Sequence, residues 1–326
     1  MKQRNTDIDW IRAILIILMI LIHIVSFGNA YPQLKAGILS FMMPTFLIIT
    51  GYLVNMEKSP KEMGRYLMCL ALPYVIMVTG FSVLSYFMPV RDGITELSLS
   101  QICEKIFVTS IGPYWFIQTM IICGILYYVS FKGATWGTLR QGKTTMSTTT
   151  SLFLFATLLL LLSKTPALSP SAATYYFIGA VLRQCHIGFD RIFRPSPVAL
   201  LFWINLLGLE EWYDWGTLAI VFSCWCCISS LMWIHSLIKR LQDNACVRKT
   251  EDTLLYIGRN TLPIYLFHPI FTMAAKFYHP LFSWDRSEIC FALVTIFIAI
   301  AGSIGIAKIM EKTHLAYLFG KGKMLR

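Results

Sequence analysis

The chain has 326 residues, of which 56% are hydrophobic and only 14% are charged, and its formal net charge is +11 at pH 7. Charged residues make up about a quarter of an ordinary soluble domain. This composition therefore excludes a soluble globular protein. Uncharged runs such as 66–88 and 289–307 are long enough for a helix to cross roughly 30 Å of hydrocarbon. The sequence therefore predicts an all-α, polytopic transmembrane helix bundle, built as a single domain over residues 1–326.

Ten apolar segments are predicted as membrane spans, and the fifth to seventh are the shortest. They lie near residues 9–27, 34–55, 66–88, 114–131, 151–164, 172–187, 196–209, 215–238, 261–277 and 288–309. With ten spans both termini lie on the same side of the membrane. Between the spans, 21 lysines and arginines fall on that side and 6 on the other. The positive-inside rule then places both termini in the cytoplasm, and we expect a bacterial inner (plasma) membrane.

The positive charge is spread over several cytoplasmic segments, so it indicates orientation and contact with membrane lipid, and no nucleic acid partner is predicted. Nine cysteines are an odd number, and most of them fall inside spans, where cysteine behaves as a small hydrophobic residue. The cluster Cys224, Cys226 and Cys227 lacks the paired spacing of zinc ligands. Neither a disulfide framework nor a metal site is predicted.

The first span carries two ionisable side chains, Arg12 and His23, in an otherwise apolar helix. Eleven residues return an α-helix to within about 20° of the same face and advance it by roughly 16 Å. Ionisable groups in a bilayer usually face a cavity or a partner, so this pattern suggests a polar path entering from the cytoplasm. Two plainer explanations stay open: Arg12 reaches the interface and pairs with Asp9, or His23 is hydrogen-bonded to a neighbouring helix.

Four segments, in order along the chain, resemble the membrane-bound acyltransferase 3 family. The first resembles the opening helix of that family, with an acid, then arginine, ten residues and histidine. The others resemble a second-helix segment ending in Gly-Tyr-Leu, a Trp-Phe helix start, and a late segment ending in His-Pro. The segments are IDWIRAILIILMILIH (8–23), FMMPTFLIITGYL (41–53), GPYWFI (112–117) and IGRNTLPIYLFHP (257–269).

Two positions depart from the family pattern. Sugar 4-O-acetylase-like members have histidine before Met-Pro in the second helix, where this chain has Met42. The basic pair that leads into the third helix of the family is represented here by Arg65, with Lys61 the nearest basic residue upstream.

The resemblance implies transfer of an acyl group, most often acetyl, from cytoplasmic acetyl-coenzyme A to a hydroxyl of a surface carbohydrate or lipid-linked sugar. Acetyl-coenzyme A is then a substrate, and no permanently bound cofactor is predicted. It implies His23 as the general base, since neutral imidazole can take a proton from a hydroxyl. Arg12, placed in the catalytic site, suits donor phosphates or a developing oxyanion, and Lys61 and Arg65 are the other candidates for donor binding.

Four further residues are candidates for substrate binding: Asp9, Trp115, Asn260 and His268. His268 stands between two prolines, where irregular backbone can line a cavity; capping of a broken helix is the alternative. Trp115 can stack on a sugar, and the aromatic belt at the membrane interface is its alternative.

Two other functions stay open. A bundle with buried polar residues also suits an exporter of a polysaccharide or lipid-linked sugar. A purely structural scaffold is the third possibility, and it leaves the pairing of Arg12 and His23 on one helix face unexplained.

Overall fold

The structure is a computed structural model that describes residues 4–87, 92–133, 147–320 and 322–326. Regular structure in these ranges is helical, and they contain no β-strand. The first α-helices are α1 (Thr6–His23), α2 (Val25–Ala30), α3 (Pro32–Leu53), α4 (Pro60–Phe87), α5 (Leu99–Glu104), α6 (Trp115–Tyr128) and α7 (Thr148–Leu162). They are followed by α8 (Pro170–Gln184), α9 (Phe189–Ile192), α10 (Pro197–Gly208), α11 (Thr217–Arg240), α12 (Ala245–Arg259), α13 (Thr261–Tyr278) and α14 (Ile289–Lys312).

Short helical turns of other pitch flank several of these helices. Two segments, Lys105–Thr109 and Val129–Gly133, are π-helical. The 3₁₀ turns are Gly112–Tyr114, Trp212–Trp215, His279–Phe282 and Leu315–Phe319.

Each predicted span falls on helical structure, and the chain is a membrane protein. Five helical segments in the described ranges are long and apolar enough to cross a membrane, namely Pro32–Leu53, Pro60–Phe87, Gly112–Lys132, Thr217–Arg240 and Ile289–Lys312. Two shorter apolar helices are α7 and α10. The count of ten spans and the cytoplasmic termini stay predictions. Five basic residues used in the charge count lie outside the described ranges, namely Lys2, Arg91, Arg140, Lys143 and Lys321.

The chain divides into two compact units. The first comprises Met1–Phe46, Ile187–Ala316 and Gly322–Arg326, and the second comprises Leu47–His186 and Tyr317–Lys321. Helix α3 therefore contributes residues to both. A single domain over residues 1–326 stays a prediction.

Helix α1 is the most buried element of the first unit and packs against α11, α12 and α13. The Asn5 side chain caps it by accepting hydrogen bonds from the main-chain N–H groups of Asp7 and Ile8, as an N-cap residue does. The helix stops at His23 because Ile24 is extended, and α2 follows after this break. The predicted span 9–27 is thus interrupted, at a run of β-branched residues that weakens helix propensity.

Helices α3 and α8 cross within the second unit through two glycines. A Cβ atom at Gly51 would overlap the main-chain oxygen of Tyr176, and one at Gly179 would overlap the oxygen of Ile48. Small residues at such crossings let helices in membranes approach backbone to backbone.

Gly258 plays the same role between α12 and α1 in the first unit. A Cβ atom at Gly258 would overlap the main-chain oxygen of Asp9. Because the obstacle is backbone, the clash is relieved only if one helix moves.

We expect Gly258→Ala to lower the stability of the first unit, because the added methyl group pushes α12 away from α1. The loss is roughly 1–3 kcal/mol, the range for overpacking a tight contact. Thermal unfolding of the purified protein in nanodiscs, followed by tryptophan fluorescence, measures it. Gly305→Ala in α14 is the control, since a Cβ there meets nothing within 4 Å and alanine favours helix. Equal unfolding temperatures for both variants would contradict a backbone contact at Gly258.

Candidate functional site

Two histidines meet between α1 and α13. The rings of His23 and His268 stand edge to face, with centroids 5.2 Å apart and an interplanar angle of 75°. His268 is fully buried, and His23 is partly buried. The two residues that the sequence selected from different segments are therefore in direct contact.

The last turn of α1 sets the proton position of His23. Its Nδ1 lies 2.7 Å from the main-chain oxygen of Met19. A carbonyl oxygen accepts hydrogen bonds and does not donate them, so the proton of this bond belongs to Nδ1. In the neutral ring Nε2 then carries a lone pair, which a general base needs.

Proline sets the proton position of His268 in the same way. Pro269 has no N–H, so it cannot make the helical bond to the Tyr265 oxygen four residues earlier. The Nδ1 of His268 donates to that oxygen at 2.8 Å. Its Nε2 is therefore a lone-pair acceptor in the neutral ring, and it is buried without a hydrogen-bond partner in the described structure.

Arg12 lies on the same helix as His23, nearer its start. Its guanidinium donates to the hydroxyl of Thr261, the first residue of α13. Helices α1 and α13 are thus joined at Arg12–Thr261 and again at His23–His268. The partners occur in the same order along both helices, since Arg12 precedes His23 in α1 and Thr261 precedes His268 in α13. The two helices therefore point in the same direction.

Asp9 forms ion pairs at the start of α1. Arg4 donates to its two carboxylate oxygens at 2.5 and 2.8 Å, and Arg259 lies 3.8 Å away. The hydrogen bond that Arg4 donates to Asp9 raises the pKa of Arg4. Asp9 therefore joins the N-terminal segment to the end of α12, and its predicted substrate-binding role is untested.

Asn260 holds the C-terminal segment of the described chain. Its side-chain oxygen accepts from the N–H of Arg326 at 2.8 Å, and its amide nitrogen donates to the oxygen of Arg326 at 3.3 Å. Nearby, Glu311 accepts from the N–H groups of Met324 and Leu325. Substrate binding by Asn260 stays a prediction, and this anchoring contact was not foreseen from the sequence.

The other predicted site residues, Lys61, Arg65 and Trp115, lie in the second unit. Lys61 and Arg65 are exposed in the first turns of α4, one turn apart on one face. Trp115 begins α6, partly buried and edge-on to Phe116. Met42, which occupies the family's histidine position, is fully buried in α3 within the first unit.

A third histidine, His235 in α11, was not selected from the sequence. Its two ring nitrogens lie 2.6 Å from Asp7 and 3.1 Å from Glu251, and its ring stacks on Trp10. Lys239 also donates to Asp7. The only sequence signal was the amphipathic pattern of 245–259, which places Glu251 on the buried face of α12. Since both nitrogens of His235 are engaged, it joins three helices and leaves no free base.

Metal ligation has no candidate among the described residues, which contain no group of three His, Cys, Asp or Glu side chains able to hold an ion. The nine cysteines are free thiols.

We expect His235→Phe to lower stability strongly. Phenylalanine keeps a ring over Trp10, but Glu251, only 4% exposed, loses its imidazole partner. Breaking a buried pair costs about 3–5 kcal/mol. Unfolding in nanodiscs measures the loss, and Lys239→Met, at a partly exposed ion pair, is the control with an expected loss of about 1 kcal/mol or less. An unchanged unfolding temperature for His235→Phe would show that the contacts of His235 with Asp7 and Glu251 do not stabilise the first unit.

Comparison with known proteins supplies one match. The acyltransferase 3 family model, described as an acyltransferase domain, matches residues 5–308, nearly the whole chain. No curated protein and no solved structure matches the chain. The matched region contains His23, His268 and Arg12.

Proposed function

The chain belongs to the acyltransferase 3 family and is an acyltransferase, and on that premise we propose what it transfers and how. The donor is cytoplasmic acyl-coenzyme A, with acetyl as the acyl group. The acceptor is a hydroxyl of a surface carbohydrate or of a lipid-linked sugar, and the enzyme works in a bacterial inner membrane. Family membership favours this enzyme over the exporter that the sequence left open.

One observation carries the role of His23 as general base. Its Nδ1 bond to the Met19 oxygen leaves Nε2 as the atom that takes the proton. His23 is also the last residue of α1, and the negative end of a helix dipole favours a positive charge there. The charge that imidazole gains on taking a proton is therefore stabilised by the helix that carries it.

The transfer balances with this base and the two substrates. The acceptor hydroxyl gives its proton to Nε2 of His23 as its oxygen bonds to the thioester carbon. The carbon–sulfur bond then breaks, and the coenzyme A thiolate takes the proton back from His23. The products are the ester and free coenzyme A, and the histidine returns to its neutral form.

Arg12 lies eleven residues before His23 on α1, which is roughly 16 Å along the axis. This separation is too long for both side chains to act on one atom. Coenzyme A is an extended molecule with phosphates at one end and the thioester at the other. We therefore assign Arg12 to the donor and to organising the site through Thr261.

Membrane orientation follows the same proposal. Both termini are cytoplasmic, so the start of α1 with Arg12 faces the donor. The shared direction of α1 and α13 agrees with the predicted order of the spans, because the first and ninth of ten spans run the same way; the side of the termini rests on the distribution of basic residues.

We expect His23→Gln to abolish most acylation. Glutamine is polar and of similar size, but it cannot act as a base near neutral pH, so the rate falls by roughly 10²- to 10⁴-fold. Mass spectrometry of surface glycans, from cells with and without the gene and at matched membrane abundance of each variant, measures it. His186→Gln is the control, the same change at an exposed histidine. Wild-type acylation by His23→Gln would refute the base, and loss of the protein from the membrane would indicate a structural role instead.

We expect donor binding to depend on salt and on two sets of basic residues. Titration calorimetry with acetyl-coenzyme A measures affinity for Arg12→Gln and for the double variant Lys61→Gln, Arg65→Gln. Each is expected to bind several-fold more weakly, and wild-type affinity to fall as salt rises, because charges are screened within about 10 Å at 0.1 M salt.

The control for this test is the double variant Arg248→Gln, Lys249→Gln, which removes two exposed charges of α12 on the same predicted side. Equal weakening in the control would mean that only the general positive field attracts the donor. Unchanged affinity in both test variants would exclude these residues from donor binding.

A further inference from the structure

The Nε2 atom of His268 needs a hydrogen-bond donor that the described chain does not provide. The side chain is fully buried, its Nδ1 is committed to Tyr265, and Nε2 has no partner. A buried polar atom without a partner costs about 1–3 kcal/mol. A residue kept in this state beside the proposed base points to a ligand that donates to it.

His23 cannot be that donor while it acts as a base. Its own proton lies on Nδ1 toward Met19, so the neutral ring also offers only a lone pair at Nε2. The two neighbouring rings thus offer two acceptors, and a ligand that binds both must bring two donors. A hydroxyl is the natural partner for each, since it donates one proton and needs no charge.

The spacing of the two rings accommodates hydroxyls on adjacent carbon atoms. The ring centroids are 5.2 Å apart, and a hydrogen bond from a hydroxyl spans about 2.8 Å. Two hydroxyls on neighbouring carbons of one ring can each reach one imidazole.

We propose that His268 accepts a hydrogen bond from the hydroxyl next to the one that is acylated, so that the site selects vicinal diols. This inference rests on the proposed function. His23 takes the proton of the attacking hydroxyl, and His268 takes no proton: it orients the acceptor through the neighbouring hydroxyl. His268 is thus the residue that determines which alcohols are acylated.

Two substitutions separate this role from a structural one. In His268→Asn, the side-chain amide can still donate to the Tyr265 oxygen, but nothing remains at the position of Nε2. In His268→Gln, the amide oxygen can replace Nε2 as an acceptor, but the bond to Tyr265 is lost. If His268 binds the acceptor, the Gln variant should keep more of the substrate preference than the Asn variant. If His268 only caps the broken helix, the Asn variant should keep more of it than the Gln variant.

The experiment uses the full chain in nanodiscs with acetyl-coenzyme A and two small acceptors, trans-cyclohexane-1,2-diol and cyclohexanol. Ester formation is followed by mass spectrometry, and kcat/KM is compared for the two alcohols. We expect the wild-type enzyme to prefer the diol about tenfold, the worth of one good hydrogen bond. His268→Gln should retain most of this preference, and in His268→Asn the ratio should fall to about one.

The outcomes distinguish the inference from the function on which it rests. A preference that survives in His268→Asn, a wild-type enzyme without preference, or loss of preference in Gln but not in Asn would each overturn the role of His268 while leaving the transferase intact. Absence of ester from both alcohols, together with unchanged surface glycans in cells lacking the gene, would overturn the proposed function itself.

Discussion

Two main-chain carbonyl oxygens decide what the central histidines can do. The oxygens of Met19 and Tyr265 hold the Nδ1 protons of His23 and His268. If either proton moved to Nε2, that ring would present a donor where the proposed reaction needs an acceptor. The proposed chemistry, both proton transfer and recognition of a second hydroxyl, therefore depends on the backbone of α1 and α13.

The Tyr265 oxygen is available because α13 is irregular at that point, since Pro269 removes an N–H from the helix. The Met19 oxygen lies in the last turn of α1, which ends at His23 before the extended Ile24. In hydrocarbon, free backbone groups are tolerated only where other groups satisfy them. At Tyr265 the satisfying group is the imidazole of His268, so the bond that stabilises the broken helix also sets the proton position.

Sequence periodicity was sufficient for the parts of the site that lie within one helix. Helix geometry put Arg12 and His23 on one face, and apolar length located helical structure at every predicted span. Family resemblance selected His268. The contact between the two rings depends on how α1 packs on α13, and no local pattern carries that information.

What the sequence missed involves contacts between distant segments. His235 meets Asp7 across 228 positions of the chain, and each residue alone resembles an ordinary polar residue at a span end. Helix α12 was overlooked because its polar face and low overall hydropathy do not resemble a span. The break at Ile24 escaped because an apolar, β-branched run is also typical of a continuous membrane helix.

The two contacts between α1 and α13 place different demands on the side chains. Along α1, Arg12 and His23 are eleven residues apart, and along α13 their partners Thr261 and His268 are seven apart. At 1.5 Å per residue the separations differ by roughly 6 Å. Arginine is long enough to cover such an offset and still donate from its fork, whereas the two imidazoles meet directly. The position of Arg12 thus depends on the same helix register that brings the histidines together, and a shift of α1 along α13 would disturb both contacts at once.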